Sequence, residues 1–135
     1  KKAIYLGLSN ITAGQLKDFI KIAQIRPTFV QNRCYASTRW DEEVRLTCRE
    51  NKIIYQGFSL LTANTSELRH VKMNSIANKY DFTVAQVIFR FCQQLNILPL
   101  TGTTNTSHMR EDLLCEGITL NSDELDFILN ISSAQ

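Results

Sequence analysis

Little in these 135 residues marks metal, membrane or polyanion chemistry. Cys34, Cys48, Cys92 and Cys115 show no CxxC spacing and have only two histidines beside them, so no zinc or other metal site is expected. Cys48 and Cys92 fall on apolar helical faces, where a free thiol acts as a small hydrophobe, and this usage points to a reducing, cytoplasmic setting. No run of 18 apolar residues and no charged-then-apolar leader occurs, so neither a membrane span nor a signal peptide is expected. Proline and glycine are sparse and nowhere form a linker, so residues 1–135 read as one structural unit. Charge of one sign is also lacking. Fifteen Lys and Arg against 13 Asp and Glu leave +2, interspersed as in Lys17-Asp18 and Arg110-Glu111-Asp112. That is a solvated surface and not a nucleic-acid stripe. An initiator Met is absent, and Lys1-Lys2 lead almost directly into an apolar run, as in a chain cut from something longer.

What is present is a repeated plan. Short apolar runs at Ala3–Leu8, Thr28–Gln31, Ile53–Phe58 and Ile97–Leu100 are each followed by amides, hydroxyls or glycine and then by a helical pattern. The first three start about 25 residues apart, the spacing of parallel β/α units with strands buried on both faces. With 44% hydrophobic residues, the chain can build a core of its own. Thr12-Ala-Gly-Gln15 and Thr83-Val-Ala-Gln86 have capping-box spacing, and Asp41-Glu-Glu43 puts negative charge at the start of a helix reaching Asn51. A ragged helical stretch covers 67–80. A clear one carries Val84, Val87, Ile88, Phe91, Cys92 and Leu95 on one stripe. Further helices are expected from Asn105 to Leu114 and after Ser122, the last with Leu125, Ile128 and Leu129 inward. The fold class is α/β, and each polar cluster falls at the carboxyl end of a strand, where such folds carry ligands. The period alone equally permits a flavodoxin-like phosphate-binding domain.

Four segments in register narrow the choice: Leu6-Gly-Leu-Ser-Asn-Ile11, Phe29-Val-Gln-Asn32, Tyr55-Gln-Gly-Phe-Ser-Leu60, and Pro99-Leu-Thr-Gly-Thr-Thr-Asn105 followed by His108-Met-Arg-Glu-Asp-Leu113. In order and spacing they resemble the aldo/keto reductases, from about Ala3 to Ile131. Those proteins are TIM (β/α)₈ barrels, and the resemblance implies that this chain is the carboxyl-terminal half, strands five to eight. It further implies NAD(P)H-dependent reduction of aldehydes or ketones, with NADP as cofactor and NAD as the alternative. The family's Asp, Tyr, Lys and His tetrad belongs to the other half. Tyr5, Tyr35, Tyr55, Tyr80, His70 and His108 do not stand at matching places. No catalytic residue is therefore expected here, and the chain alone is expected to be inactive.

The resemblance assigns cofactor contacts instead. Ser9 and Asn10 match a pair that hydrogen-bonds the nicotinamide carboxamide; by residue type alone they equally form a strand-to-helix turn. Gln31 matches a second amide on that group, or is a structural hydrogen bond across the barrel. Phe58 stands where an aromatic ring, more often Tyr, stacks on the nicotinamide; as a lone Phe at a strand end it is core. Ser59 and Leu60 match a loop beside the pyrophosphate. Gly102, Thr103 and Thr104 precede a helix start that suits phosphate, and also form a capped glycine turn. Gly102 and His108 align with a Lys and an Arg that in many members recognise the 2′-phosphate. Glu111 and Asp112 match residues near the adenine, or are ordinary exposed charges. Expected partners are a missing amino-terminal half-barrel or a second copy, and a carbonyl substrate in the complete protein. The alternative function is a non-catalytic dinucleotide-sensing or interaction module of the same fold, like the potassium-channel β subunits.

Overall fold

The computed structural model describes residues 2–133. Four parallel strands lie in sequential order: β1 Gly7–Ser9, β2 Phe29–Arg33, β3 Ile54–Phe58 and β4 Ile97–Pro99. Between and after them come α1 Ala13–Ile22, α2 Glu42–Glu50, α3 Thr65–Leu68, α4 Val71–Tyr80, α5 Val84–Gln94, α6 Thr106–Leu114 and α7 Ser122–Leu129. Doubly wound sheets reverse their strand order at the ligand crevice, and this order never reverses, so the flavodoxin-like alternative falls. A right-handed crossover repeated in one direction returns every helix to the same face. The result is an open arc of four β/α units, half of a (β/α)₈ barrel.

Strand periodicity separates the two faces of the sheet. Val30, Asn32, Tyr55 and Ile97 turn toward the helices and are buried, in a core with Leu16, Val44, Cys48, Met73, Val87 and Phe91. The other set, in register as Phe29 with Ile54, Gln31 with Gln56 and Leu98, and Arg33 with Phe58, is not covered. Ile54 and Leu98 remain 45% and 46% exposed. Burial on both faces, expected from the apolar runs, therefore holds on one face only, because nothing lies across the concave side of the arc.

Local signals placed most helices. Thr12 with Gln15 and Thr83 with Gln86 form the expected reciprocal capping boxes. On α5, Val87, Ile88, Phe91 and Cys92 are fully buried. Several boundaries differ, and β2 runs on to Arg33, two residues past its expected end. The first strand begins at Gly7 and not at Ala3, because its length is set by pairing with β2, which offers partners only to Gly7, Leu8 and Ser9. The ragged stretch divides into α3 and α4, where the His70 ring accepts from the Lys72 N–H as cap. The last helix is capped by Asn121, in a box with Glu124, one residue earlier than expected. No helix among the described residues is long and apolar enough to cross a membrane.

Glu124 carries a consequence for stability. It is buried where Leu125 and Leu129 are only partly so, and its carboxylate accepts from Lys79 Nζ at 2.6 Å, the Tyr80 hydroxyl at 2.7 Å and the Asn121 N–H at 2.9 Å. Burial pulls its pKa upward, but the bonds from Lys79, Asn121 and Tyr80 outweigh that and hold it below the ordinary carboxylate value. A depressed folded-state pKa contributes stability above the unfolded value, and that stability is lost as pH falls through the folded one. Glu124→Gln is expected to flatten the acid limb of the stability curve, measured as a denaturant midpoint from about pH 7 to pH 3. An unchanged limb would show that Glu124 does not carry it.

Candidate functional site

At the carboxyl ends of β1 and β2, one carbonyl gathers three of the expected residues. Gln31 O accepts the Ser9 hydroxyl at 2.9 Å and the Asn10 N–H at 3.0 Å. Asn10 sits in the left-handed region at φ 54°, a conformation Asn adopts more readily than most residues, and it turns the chain sharply into α1. The Gln31 side chain donates to Gln56 Oε1 at 3.2 Å across the uncovered face. Ser9, Asn10 and Gln31 are thus brought together, with the amides of Gln31 and Gln56 side by side. Both readings of Gln31 stand, since a cross-strand amide pair also presents donors and acceptors to the concave side.

A second group forms at the ends of β3 and β4. Phe58, Ser59, Leu60 and Gly102 line one cleft of about 370 Å³ with Leu61, Thr62 and Thr101. The Phe58 ring is half-buried on the uncovered face, in register with Arg33. Ser59 turns at φ 56°. Leu60 itself is buried and packs in the core at the wall of this cleft. A Cβ built at Gly102 would meet nothing within 4 Å, so the chain's own packing does not require glycine there and the approach stays open.

The remaining positions are less concentrated. Asn105 caps α6, its side chain accepting from the N–H groups of Ser107 at 2.8 Å and His108 at 3.4 Å, while Thr103 Oγ1 accepts from the Asn105 N–H at 3.1 Å. Two amides that a phosphate would use are therefore already capped. Thr104 and His108 are exposed. The Glu111 carbonyl accepts from Gln86 Nε2 at 3.0 Å. The Asp112 carboxylate accepts from Thr101 Oγ1 at 2.8 Å and faces an adjoining cleft of about 540 Å³ beside β4, with Arg90, Gln93 and Leu98. Asp112 is thus engaged within the chain and is not a free surface charge.

Sequence reasoning missed the buried polar groups behind the site. Asn64 donates to the carbonyls of Cys34 at 3.0 Å and Leu60 at 2.8 Å and accepts from the Ala36 N–H at 2.7 Å, tying the β2 exit to the Phe58 loop. Asp41 accepts from Asn32 at 2.8 Å and from the Tyr55 hydroxyl at 2.7 Å. Burial, chiefly, with the neighbouring Cys34 and Asp41 adding to it, raises the Tyr55 pKa. Burial likewise pushes the Cys34 and Cys48 thiols up to about 12. Thiols so raised are neutral at physiological pH and are poor nucleophiles. The polar groups at the carboxyl end of the concave face are the Ser9 hydroxyl, the Gln31 and Gln56 amides and the Arg33 guanidinium. They can orient an amide-bearing ligand.

No family model matches the chain. It is 30% identical over 130 residues to pyridoxine 4-dehydrogenase of Escherichia coli, covering 95% of this chain and 44% of that protein. It is 26% identical over 143 residues to a probable NAD(P)H-dependent D-xylose reductase of Aspergillus flavus, covering 97% and 45%. In fold it is similar to an aldo-keto reductase of Bombyx mori solved in complex with NADP, with a TM-score of 0.84 at 20% identity over 94% of this chain and 44% of that one. The chain thus spans a little under half the length of the relatives it matches. In sequence and in fold, nearly the whole chain is thus similar to a little under half of an aldo/keto reductase.

Proposed function

We propose that this chain is the cofactor-binding half of an NAD(P)H-dependent aldo/keto reductase, an oxidoreductase that reduces aldehydes or ketones. The observation that carries the reading is the convergence of Ser9 and Asn10 on the Gln31 carbonyl, beside the paired amides of Gln31 and Gln56. A carboxamide offers one acceptor and two donors, and the Ser9 hydroxyl with the Asn10 and Gln31 amides meets both needs. Phe58 supplies a face for an aromatic ring, and the open ground at Gly102 admits a pyrophosphate. NADP is the proposed cofactor, with NAD as the alternative. The bound dinucleotide would supply the hydride; the residues of this chain bind and orient it.

The test is dinucleotide titration into the barrel completed by an amino-terminal half. Asn10→Ala and Gln31→Ala are each expected to weaken binding by about 1–3 kcal/mol, roughly 5- to 150-fold, for a hydrogen-bonding group left unpaired. Phe58→Tyr is expected to be mild and Phe58→Ala severe. Unchanged affinity in all four variants would remove these residues from the site.

A further inference from the structure

We infer that Asn32 is the positioning residue that sets the Ser9–Asn10 turn for the carboxamide, an inference that rests on the reading of that turn just proposed. Asn32 follows Gln31 on β2 and so turns to the opposite, helix-covered face, where it is buried at 6% exposure. Its amide is fully engaged. Oδ1 accepts from the Ile11 N–H at 3.0 Å, and Nδ2 donates to the Ile11 carbonyl at 2.7 Å and to Asp41 Oδ2 at 2.8 Å. One side chain therefore holds both main-chain groups of Ile11, as a rung of paired strand would. It extends the coupling of β1 to β2 past Asn10, whose N–H makes the last backbone bond to β2. Asn10 lies between two clamps: Ser9 fixed to Gln31 on one side, Ile11 fixed to Asn32 on the other.

A left-handed turn persists only where its surroundings over-determine it, and the second clamp is itself braced. Asp41 begins α2 but makes no side-chain cap to that helix. Its Oδ2 instead takes the Asn32 amide and the Tyr55 hydroxyl. To bring the carboxylate there, Arg39, Trp40 and Asp41 adopt φ of 51°, 58° and 59° in succession, a rare run for non-glycine residues. Arg45 holds that run by donating to the Trp40 carbonyl at 2.6 Å and the Arg39 carbonyl at 3.1 Å, and the fully buried Trp40 anchors it. An aspartate withheld from its own helix and held in a strained turn braces both Asn32 and Tyr55, and Asn32 in turn clasps the main chain beside Asn10.

The test compares Asn32→Leu, which keeps the volume and loses the clasp, with Asp41→Asn, which weakens the brace by removing its charge and leaves the Ile11 bonds. Amide exchange and ligand binding are both followed in the barrel completed by an amino-terminal half. The probes are NADPH and 2′,5′-ADP, which lacks the nicotinamide. Asn32→Leu is expected to speed exchange at Asn10 and Ile11 and to weaken NADPH roughly tenfold, the scale of a lost buried hydrogen bond, with 2′,5′-ADP unchanged within about twofold. Asp41→Asn is expected to move both in the same direction by less, and it carries the test if Asn32→Leu does not fold. Equal loss of both ligands, or faster exchange with NADPH binding intact, would overturn the positioning role and make Asn32 a fold contact. Should the wild-type barrel bind NADPH no better than 2′,5′-ADP, the carboxamide reading itself fails, a failure visible before any variant is made.

Discussion

Brought to sedimentation equilibrium at micromolar concentration, this chain alone is expected to show no well-folded monomer that unfolds cooperatively. Eight parallel strands close a barrel, and four leave two edges. β1 and β4 pair on one side only. Beyond β1 the exposed Ile4, Tyr5 and Leu6 approach the edge, and beyond β4 the exposed Leu113 and Leu114 stand on α6. The concave face adds Ile54 and Leu98 between the edges. Apolar surface that is contiguous and edged by unpaired backbone is where association occurs. Arg90 gives the same indication. Its Nε is buried without a partner among the described residues, in the cleft beside β4, and an unpaired buried donor costs on the order of 1–3 kcal/mol. An acceptor arriving with a further strand would relieve it. A second copy, or an amino-terminal half-barrel, supplies four strands to match these four. A cooperative monomer would defeat this expectation and make the half-barrel self-contained.

What the sequence disclosed and what it withheld divide by distance along the chain. Thr12 with Gln15 and Thr83 with Gln86 act over three residues, so both helix starts were legible to the residue. The Ser-Asn, Gln and Phe clusters could be placed at strand ends because the β/α period fixes where strands end. The extent of β1 was not legible, since a strand is as long as its neighbour allows and Ala3–Leu6 have no paired partner on β2. The burial of Glu124 was not legible. It depends on Lys79 and Tyr80, 45 and 44 residues earlier, and no local pattern carries that. The role of Asn32 was hidden for a similar reason: its partners are Ile11, 21 residues before it, and an aspartate turned inward by three left-handed residues. Left-handed backbone at Arg39, Trp40 and Asp41 is invisible in a sequence with no glycine there.

Mixed with NADPH and a simple aldehyde, the chain alone is expected to oxidise no cofactor above background, and an added amino-terminal half bearing a proton donor is expected to bring turnover. Carbonyl reduction needs a proton delivered to the oxygen as hydride reaches the carbon. A positioned acid contributes about 10²- to 10⁴-fold. Holding the two reactants in an attack geometry is worth still more, with effective molarities of about 10⁵–10⁸ M. This chain alone is expected to meet neither need. Tyr55 is held by Asp41 on the helix-covered side of the sheet with its pKa raised, and the concave face offers amides, a hydroxyl, a guanidinium and the Phe58 ring. One wall of a barrel also leaves the acceptor carbonyl open to water. The two losses compound, because a hydride donor gripped at Asn10 and Gln31 remains unreactive until an acceptor is fixed against it. Turnover by the purified chain at rates like those of the complete reductases would place a proton donor on these 135 residues, and the division of roles between the halves would then be wrong.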